Sequence, residues 1–469
     1  MIHQSHEMHQ RFADPSRKHV LQITNHGVHQ WQVVPGLPDT GGQNVYVNQF
    51  TEALVNLGFR VTIINRGGYP HPVTGQMQQG EVFHPSGHAR ILYIEDGRAD
   101  FVRKEDMNEQ LPGLAEDLKQ KLADEDETYE LIISHYWDAG KLGTLINGAS
   151  GPRVPHVWVP HSLGALKKEN MPPASWAQLR VDERIEHERG IIPELDGCVS
   201  TSAAIREAFM RHYKHEPKYF LPPCVDEYRY RPMSPDLYEP VWAFLAEHSP
   251  LTADEIRQRP LILEISRTDK TKRKDVLIRA FAKVREQVPD ALLAVTADPL
   301  SKDLYRELRH LIERKGLDQD VIVLGSVWEQ LPMLYNAASV YCTPSVMEGF
   351  GMSAQEAAAV GTPVVASDLV PFVVEYLLDH RSVQRVSMDN DGEAVELLFG
   401  EGGAVVPADF VDGFAEALTR LLADEPMRRQ MGRRAHEITI PYFTWNRMVS
   451  TLLDDLGLSP NGQSEMKAS

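Results

Sequence analysis

Short apolar runs alternate with amphipathic segments along almost the whole chain from Val20 onward, and this constrains the fold more than any other feature. An apolar run of about 4–8 residues fits a strand buried on both faces, and a following segment with apolar positions at helical spacing fits a helix laid on that sheet. The alternation predicts βα units stacked on a parallel sheet.

Residues 20–24 read as the first strand. A long polar loop follows, ending in Asp39-Thr40-Gly41-Gly42-Gln43, and then a helix carrying Tyr46, Val47, Phe50, Leu54 and Leu57 that stops at Gly58. Residues 59–65, 131–135, 157–161 and 197–201 read as later strands of the same sheet. The stretch 221–259, with prolines at 222, 223, 232, 235, 240 and 250, breaks the alternation and reads as an interdomain connection. A second series follows, with strands at 261–266, 291–296, 321–324, 340–343 and 363–366 and a helix at 275–286. After Ala404 the chain reads as helices, the last over 445–456 and entered through Pro441-Tyr442-Phe443-Thr444. The expected class is α/β with two Rossmann-like domains, 1–225 and 260–440, a linker region over 226–259, and a disordered tail over 458–469.

Composition limits what such a fold acts on. With 48 basic against 66 acidic residues the formal charge is −18, which repels nucleic acid and anionic membrane surfaces. At 42% hydrophobic and 24% charged, the 469 residues match ordinary globular usage, which excludes global disorder and coiled-coil architecture. No stretch approaches the roughly 20 apolar residues that span a bilayer, and the first residues lack a signal-peptide core, so no membrane insertion is expected. Cys198, Cys224 and Cys342 show no CxxC spacing, so neither a zinc site nor a disulfide framework is indicated, and a cytoplasmic location is expected.

Ligands of open α/β sheets sit at the carboxyl ends of the strands, and the residue types with chemical potential cluster there. Gly41-Gly42 precedes a helix, where glycine lets the backbone approach a ligand and the helix start offers N–H groups to an anion; a tight turn explains an isolated pair equally. Arg267 and Lys272 follow strand 261–266, where arginine can fork two phosphate oxygens and lysine adds a point charge, although Asp269 to Lys274 alone also reads as a solvated basic patch. Glu348 and Glu356 flank the loop Gly349-Phe350-Gly351-Met352-Ser353, with Glu356 in the early turns of the next helix. Backbone amides there suit a phosphate and carboxylates suit sugar hydroxyls; the bland alternative is two exposed acids beside a helix start. His161 ends an apolar strand in Val159-Pro160-His161-Ser162-Leu163-Gly164, a position more often held by a hydrogen-bonded structural histidine. The histidines at 3, 6, 9, 26 and 29 lack any metal-ligand context and read as solvated or loop residues.

In this order the motifs resemble those of retaining GT-B glycosyltransferases of family four, and among them the sucrose-phosphate and mannosylfructose-phosphate synthases, over residues 20 to about 456. The resemblance implies a GT-B fold of two facing Rossmann-like domains with a cleft between them, and a C-terminal helix within 441–457 that packs back on the first. It implies a nucleoside diphosphate sugar held mainly by the second domain. Arg267 and Lys272 would neutralise the diphosphate, Glu356 would bind the ribose, and Glu348 with the backbone of Gly351, Met352 and Ser353 would hold the transferred sugar. Gly41 and Gly42 would add N–H groups, His161 would lie near the anomeric carbon and the 6-hydroxyl, and Gln43, Arg98, Lys104, Tyr136 and Arg184 would bind the acceptor. Arg184 reads alternatively as an i, i+4 partner of Glu188 on a surface helix. In such enzymes the acceptor attacks and the leaving group departs on one face while the diphosphate takes the proton. His161, Glu348, Arg267 and Lys272 would then be the catalytic set, with no enzymic nucleophile, no cofactor and no metal. The chain departs from the family at Asp368-Leu369-Val370-Pro371, where Gly-Gly-Pro is usual, and at Cys224, where Pro-Pro-Gly is common.

The expected function is transfer of a hexose, from UDP-glucose, to a small phosphorylated acceptor such as fructose 6-phosphate. A GDP-mannose-dependent enzyme making a mannosyl compatible solute stays open, as does, from another class, a non-catalytic nucleotide-sugar-binding subunit. The expected partners are these small-molecule substrates and a separate phosphatase for the product, with no nucleic acid.

Overall fold

A computed structural model describes residues 2–33, 37–125, 128–148, 152–170, 173–325, 327–379, 381–390 and 392–458. The tail expected to be disordered lies, after Leu458, outside the described residues. The chain divides into two compact units, Met1–Pro222 with Trp445–Ser469, and Pro223–Thr444.

In the first unit, β1 (His19–Ile23), β2 (Arg60–Arg66), β3 (Glu81–Phe83), β4 (Ala89–Ile94), β5 (Leu131–His135), β6 (His156–Val159), β7 (Gly197–Ser200) and β8 (Tyr219–Phe220) form one sheet in the order β3-β4-β2-β1-β5-β6-β7-β8. Only the β3–β4 pair is antiparallel; β3, β4 and β8 extend the sheet beyond the strands that the alternation predicts. Strand order reverses between β1 and β5, which pair in parallel with Leu21 opposite Ile132. The loops that leave their carboxyl ends therefore diverge and open a crevice. Both strands are buried throughout, and Leu21, Ile23 and Ile132 share a cluster with Trp158 and Phe209. The helix Trp445–Asp455 completes this unit, burying Trp445, Val449, Leu452 and Leu453 along one stripe.

In the second unit, β9 (Leu261–Glu264), β10 (Leu292–Thr296), β11 (Val321–Leu324), β12 (Val340–Thr343), β13 (Val364–Ser367), β14 (Gln384–Asn390), β15 (Glu393–Phe399) and β16 (Gly403–Val406) are ordered β11-β10-β9-β12-β13-β16-β15-β14. Successive side chains of a strand point to opposite faces, so Leu261 and Leu263 enter one core cluster while Ile262 enters the other. Helices on both faces explain why these strands are apolar without alternation. The switch point here lies between β9 and β12.

One expectation is corrected. Residues 226–259 are not a linker: Val241, Trp242, Leu245 and Ile256 are buried in the same cluster as Leu261 and Tyr335. Pro235 and Pro240 stand in the first turns of short helices, where a missing N–H costs nothing, so the prolines start structure instead of breaking it. The second sheet also extends past the last expected strand, 363–366, whereas the chain after Val406 is helical, as expected, in Val411–Ala423, Glu425–Thr439 and Trp445–Asp455. Gly403–Val406 is a fully buried strand, parallel to β13 and antiparallel to β15, and β14 and β15 form an antiparallel hairpin.

Candidate active site

The second unit's loops at its switch point hold Arg267, Lys272 and Glu348. Asp269 accepts from Thr271 N at 2.8 Å and from Thr271 Oγ1 at 2.6 Å, fixing the turn Lys270–Lys272. Val346 N donates to Thr271 O at 2.8 Å and so ties this turn to the loop after β12. Lys272 Nζ is thereby brought to 2.6 Å from Glu348 Oε1 in a largely buried pair. Arg267 is exposed and its guanidinium makes no hydrogen bond or salt bridge among the described residues. Lys274 does not belong to a solvated patch. Its ammonium is buried against Glu264 and donates to Ser266 Oγ at 2.8 Å, and burial pushes its pKa down. This pair braces the start of the 266–272 loop from beneath.

The helix Met352–Ala359 begins at Gly351, whose φ of +107° lies in the left-handed region; a Cβ there would stand 2.6 Å from Val370 Cγ1. The segment that departs from the family pattern is thus the wall behind this glycine. Gln355 N donates to Gly351 O at 3.0 Å, which closes the first turn and leaves the N–H groups of Met352 and Ser353 outside the helical ladder. On the same helix, Glu356 accepts from Tyr335 OH at 2.8 Å and from Tyr230. Burial raises its pKa to about 7, against the opposing pull of both tyrosines and Arg229. Arg229 lies over the Trp328 ring at 4.6 Å.

In the first unit, Gly41 caps the helix Gly42–Asn56, and a Cβ at either glycine would meet nothing within 4 Å. Asn44 holds this start: its Oδ1 accepts from Gly41 N at 2.9 Å and its Nδ2 meets His29 Nδ1 at 3.0 Å. His29 bonds Asn48 at 2.9 Å, and burial lowers its pKa to about 4. His26 pairs with Asp138 at 3.0 Å, both buried. Both histidines are loop residues as expected, but neither is solvated, because each is buried and anchors the loop after β1. Gln43 donates to Thr24 Oγ1 at 3.1 Å.

His161 has φ +55° and lies 3.0 Å from His135 Nδ1 through its Nε2; burial, with His26 adding to it, drops its pKa to about 3. Its loop is held by Arg184, which is neither a free phosphate ligand nor a surface residue. Arg184 is buried, donates from Nε to Glu188 Oε1 at 2.7 Å, and bonds the Tyr136 hydroxyl and the Ser162 carbonyl. Glu188 in turn accepts from Gly164 N. The i, i+4 pair exists, but it is a buried splint for residues 161–164.

Lys104, Tyr136 and Arg184 do line one small pocket, together with Lys167 and Arg180. Lys104 pairs with Asp39, and Arg180 lies near Asp106 and Glu183. Lys167 forms no salt bridge among the described residues, and burial, aided by Arg184 and Lys104, lowers its pKa to about 8. Arg98 is exposed, forks onto Asp100 and does not line this pocket. Sequence reading misses Lys167 and Arg180 because only the fold gathers these segments. Among the described residues no group of three or more His, Cys, Asp or Glu side chains is placed to hold a metal ion, and no described helix is long and apolar enough to cross a membrane.

Comparison with known proteins matches residues 40–229 to Glycosyltransferase Family 4 and residues 253–438 to Glycosyl transferases group 1. The chain is similar to the mannosylfructose-phosphate synthase of Agrobacterium fabrum, 30% identical over 74% of this chain and 76% of that enzyme. It is 27% identical to the D-inositol 3-phosphate glycosyltransferase of Corynebacterium glutamicum, over 92% and 96% of the two chains. Among solved structures, the sucrose-phosphate synthase from Thermosynechococcus elongatus superimposes with a TM-score of 0.71 at 25% identity, covering 93% of this chain and 98% of that one.

Proposed function

The chain belongs to the GT-B glycosyltransferases of family four, and on that premise we propose that it transfers a hexose, with retention of anomeric configuration, from a nucleoside diphosphate sugar to a phosphorylated acceptor. One observation carries the acceptor class. Lys167 is a half-buried ammonium without a salt bridge among the described residues, in a pocket whose other cations are Lys104, Arg180 and Arg184. Glu105 and Glu183 line the same pocket, and Lys104, Arg180 and Arg184 pair with Asp39, Asp106 and Glu188, so among the described residues Lys167 is the cation left for an anion there, and a phosphate would suit it. The names of the three relatives, each containing a phosphate, support the same class.

The donor falls to the second unit. Arg267, whose guanidinium makes no hydrogen bond or salt bridge among the described residues, and Lys272 would take the diphosphate, with Lys272 exchanging its bond to Glu348 and releasing that carboxylate to the sugar hydroxyls. Glu356 would receive the ribose, and the helix start at Gly351 to Ser353 would supply N–H groups. The diphosphate itself would accept the proton of the attacking hydroxyl. UDP-glucose and fructose 6-phosphate are the substrates we propose first; the mannosylfructose-phosphate synthase relative keeps GDP-mannose as the second donor.

A panel of nucleotide sugars against matched free and phosphorylated sugars, read by nucleotide release and by NMR of the product anomer, tests this reading. Release should require the phosphorylated sugar, and Lys167→Met should raise its KM by roughly tenfold to a hundredfold. The same variant should gain about 1 kcal/mol of stability, discounted for partial exposure, because it removes a desolvated charge. Equal rates on free and phosphorylated sugars, or an inverted product, would end the proposal.

A further inference from the structure

A chain of hydrogen bonds in the first unit runs from a backbone carbonyl to the His161 ring. Thr51 Oγ1 donates to Val47 O at 2.9 Å, Gln22 Nε2 to Thr51 Oγ1 at 2.6 Å, His135 Nε2 meets Gln22 Oε1 at 2.8 Å, and His135 Nδ1 meets His161 Nε2 at 3.0 Å. Thr51, Gln22 and His135 are all buried, so none of these bonds can be exchanged for water.

The direction of every bond is fixed by its first acceptor. A carbonyl cannot donate, so the single proton of Thr51 goes to Val47, and Thr51 Oγ1 must receive from the Gln22 amide nitrogen. That orientation turns Gln22 Oε1 toward His135, which must then donate from Nε2. Burial holds both imidazoles neutral, so the other nitrogen of His135 is bare and can only accept. His161 therefore gives its Nε2–H to His135 and keeps no proton on Nδ1, for which no bond is recorded among the described residues.

The rings cannot easily rotate out of this register. Tyr46 stands edge-on to His161 at 4.8 Å and Phe50 edge-on to His135 at 6.3 Å, while Trp445 closes on Tyr46 at 4.8 Å. The Arg184–Glu188 splint fixes the backbone that carries His161.

We propose that Gln22 and His135 are positioning residues that lock His161 as its Nε2–H tautomer, so that Nδ1 is an obligate acceptor for a hydroxyl of the transferred sugar. The sugar-facing part rests on the glycosyltransferase reading under Proposed function and on the place near the 6-hydroxyl that the family resemblance implies for His161; the tautomer lock does not. A ring locked this way would bind a hydroxyl that donates and would reject a group lacking a proton. It would act in binding the sugar, not as a proton store near neutral pH.

The test is a two-bond nitrogen–proton correlation spectrum of protein labelled with 15N in its histidine rings, recorded without ligand, with the His161 signals assigned by loss in His161→Asn. Wild-type protein should show His161 protonated at Nε2 and bare at Nδ1. Gln22→Met should populate both tautomers and lower kcat/KM for the donor sugar about tenfold, while affinity for the nucleoside diphosphate alone is unchanged. If Gln22→Met does not fold, Thr51→Val removes the polarising hydroxyl while keeping the side chain's shape. A protonated Nδ1 in wild-type protein, or a single unchanged tautomer in both variants, overturns the lock. A mixed tautomer with unaltered kcat/KM overturns the positioning role, and with the spectrum as predicted it points to the sugar-facing reading as the part that failed.

Discussion

A glutamate that ionises near 7 instead of 4.5 makes a site responsive to pH. Desolvation holds the Glu356 proton, and the bonds from Tyr335 and Tyr230 oppose it only in part. Because the folded value lies above the unfolded one, the stability this group contributes is complete below about 4.5 and is lost as pH rises through 7. Ligand binding should run the other way. Ionised Glu356 accepts two hydroxyl bonds, whereas the protonated form accepts less well, so the ratio of nucleoside diphosphate affinities of wild type to Glu356→Gln should rise about tenfold from pH 6 to pH 8. The phosphate's own titration cancels in that ratio. Calorimetry giving a flat ratio would remove Glu356 from the nucleotide site.

The helix starts at Gly351 and Gly42 carry glycine for different reasons, and substitution separates them. At Gly351 the left-handed backbone and the nearby Val370 both exclude a side chain, so Gly351→Ala should cost about 1–3 kcal/mol in denaturant unfolding. At Gly42 a methyl group meets open space and favours the helix, so Gly42→Ala should be neutral or stabilising by up to ~0.5 kcal/mol, yet raise the substrate KM. A loss of stability in Gly42→Ala as large as that in Gly351→Ala would show that Gly42 too is kept for the fold and not for close approach of a ligand. The strand-end motifs are legible in the sequence because a buried strand is a short apolar run and whatever follows it must face the crevice. The elements between them are not. Gln22 lies between Leu21 and Ile23 and carries nothing to distinguish a relay member from a satisfied core amide. Lys167 stands beside Lys168 in a polar stretch, and only the packing of the helices Gly164–Asn170 and Val181–Ile191 shows which of the two turns inward. That the Arg184–Glu188 pair is buried and not on the surface is hidden for the same reason, since i, i+4 spacing is silent about burial.

At the scale of the whole chain, proline content misleads and topology corrects it. A stretch rich in proline reads as a connection, yet Trp242 and Leu245 within it are core residues of the second unit. The first unit is the discontinuous one, closed by Trp445–Asp455 on the helix Gly42–Asn56, with Trp445 Nε1 bonded to Gln49 Oε1 at 2.9 Å. Removing everything after Thr444 strips away four buried apolar side chains at about 1.5–3 kcal/mol each. Calorimetry of that truncated chain should show the first unit melting well below its normal temperature while the second keeps its own; a single unshifted transition would show that the closing helix adds nothing.

The split first unit also bears on how the protein is made. A ribosome releases the chain from its amino end, and domains ordinarily fold in that order. Here the first 222 residues emerge early but wait for the last helix, while the continuous stretch Pro223–Thr444 is complete before that helix leaves the exit tunnel. The aromatic face of Tyr46 and Phe50 beside His161 therefore stays uncovered until the helix Trp445–Asp455 has been made. The unit that is begun first can thus be closed around His161 only after the second unit is complete.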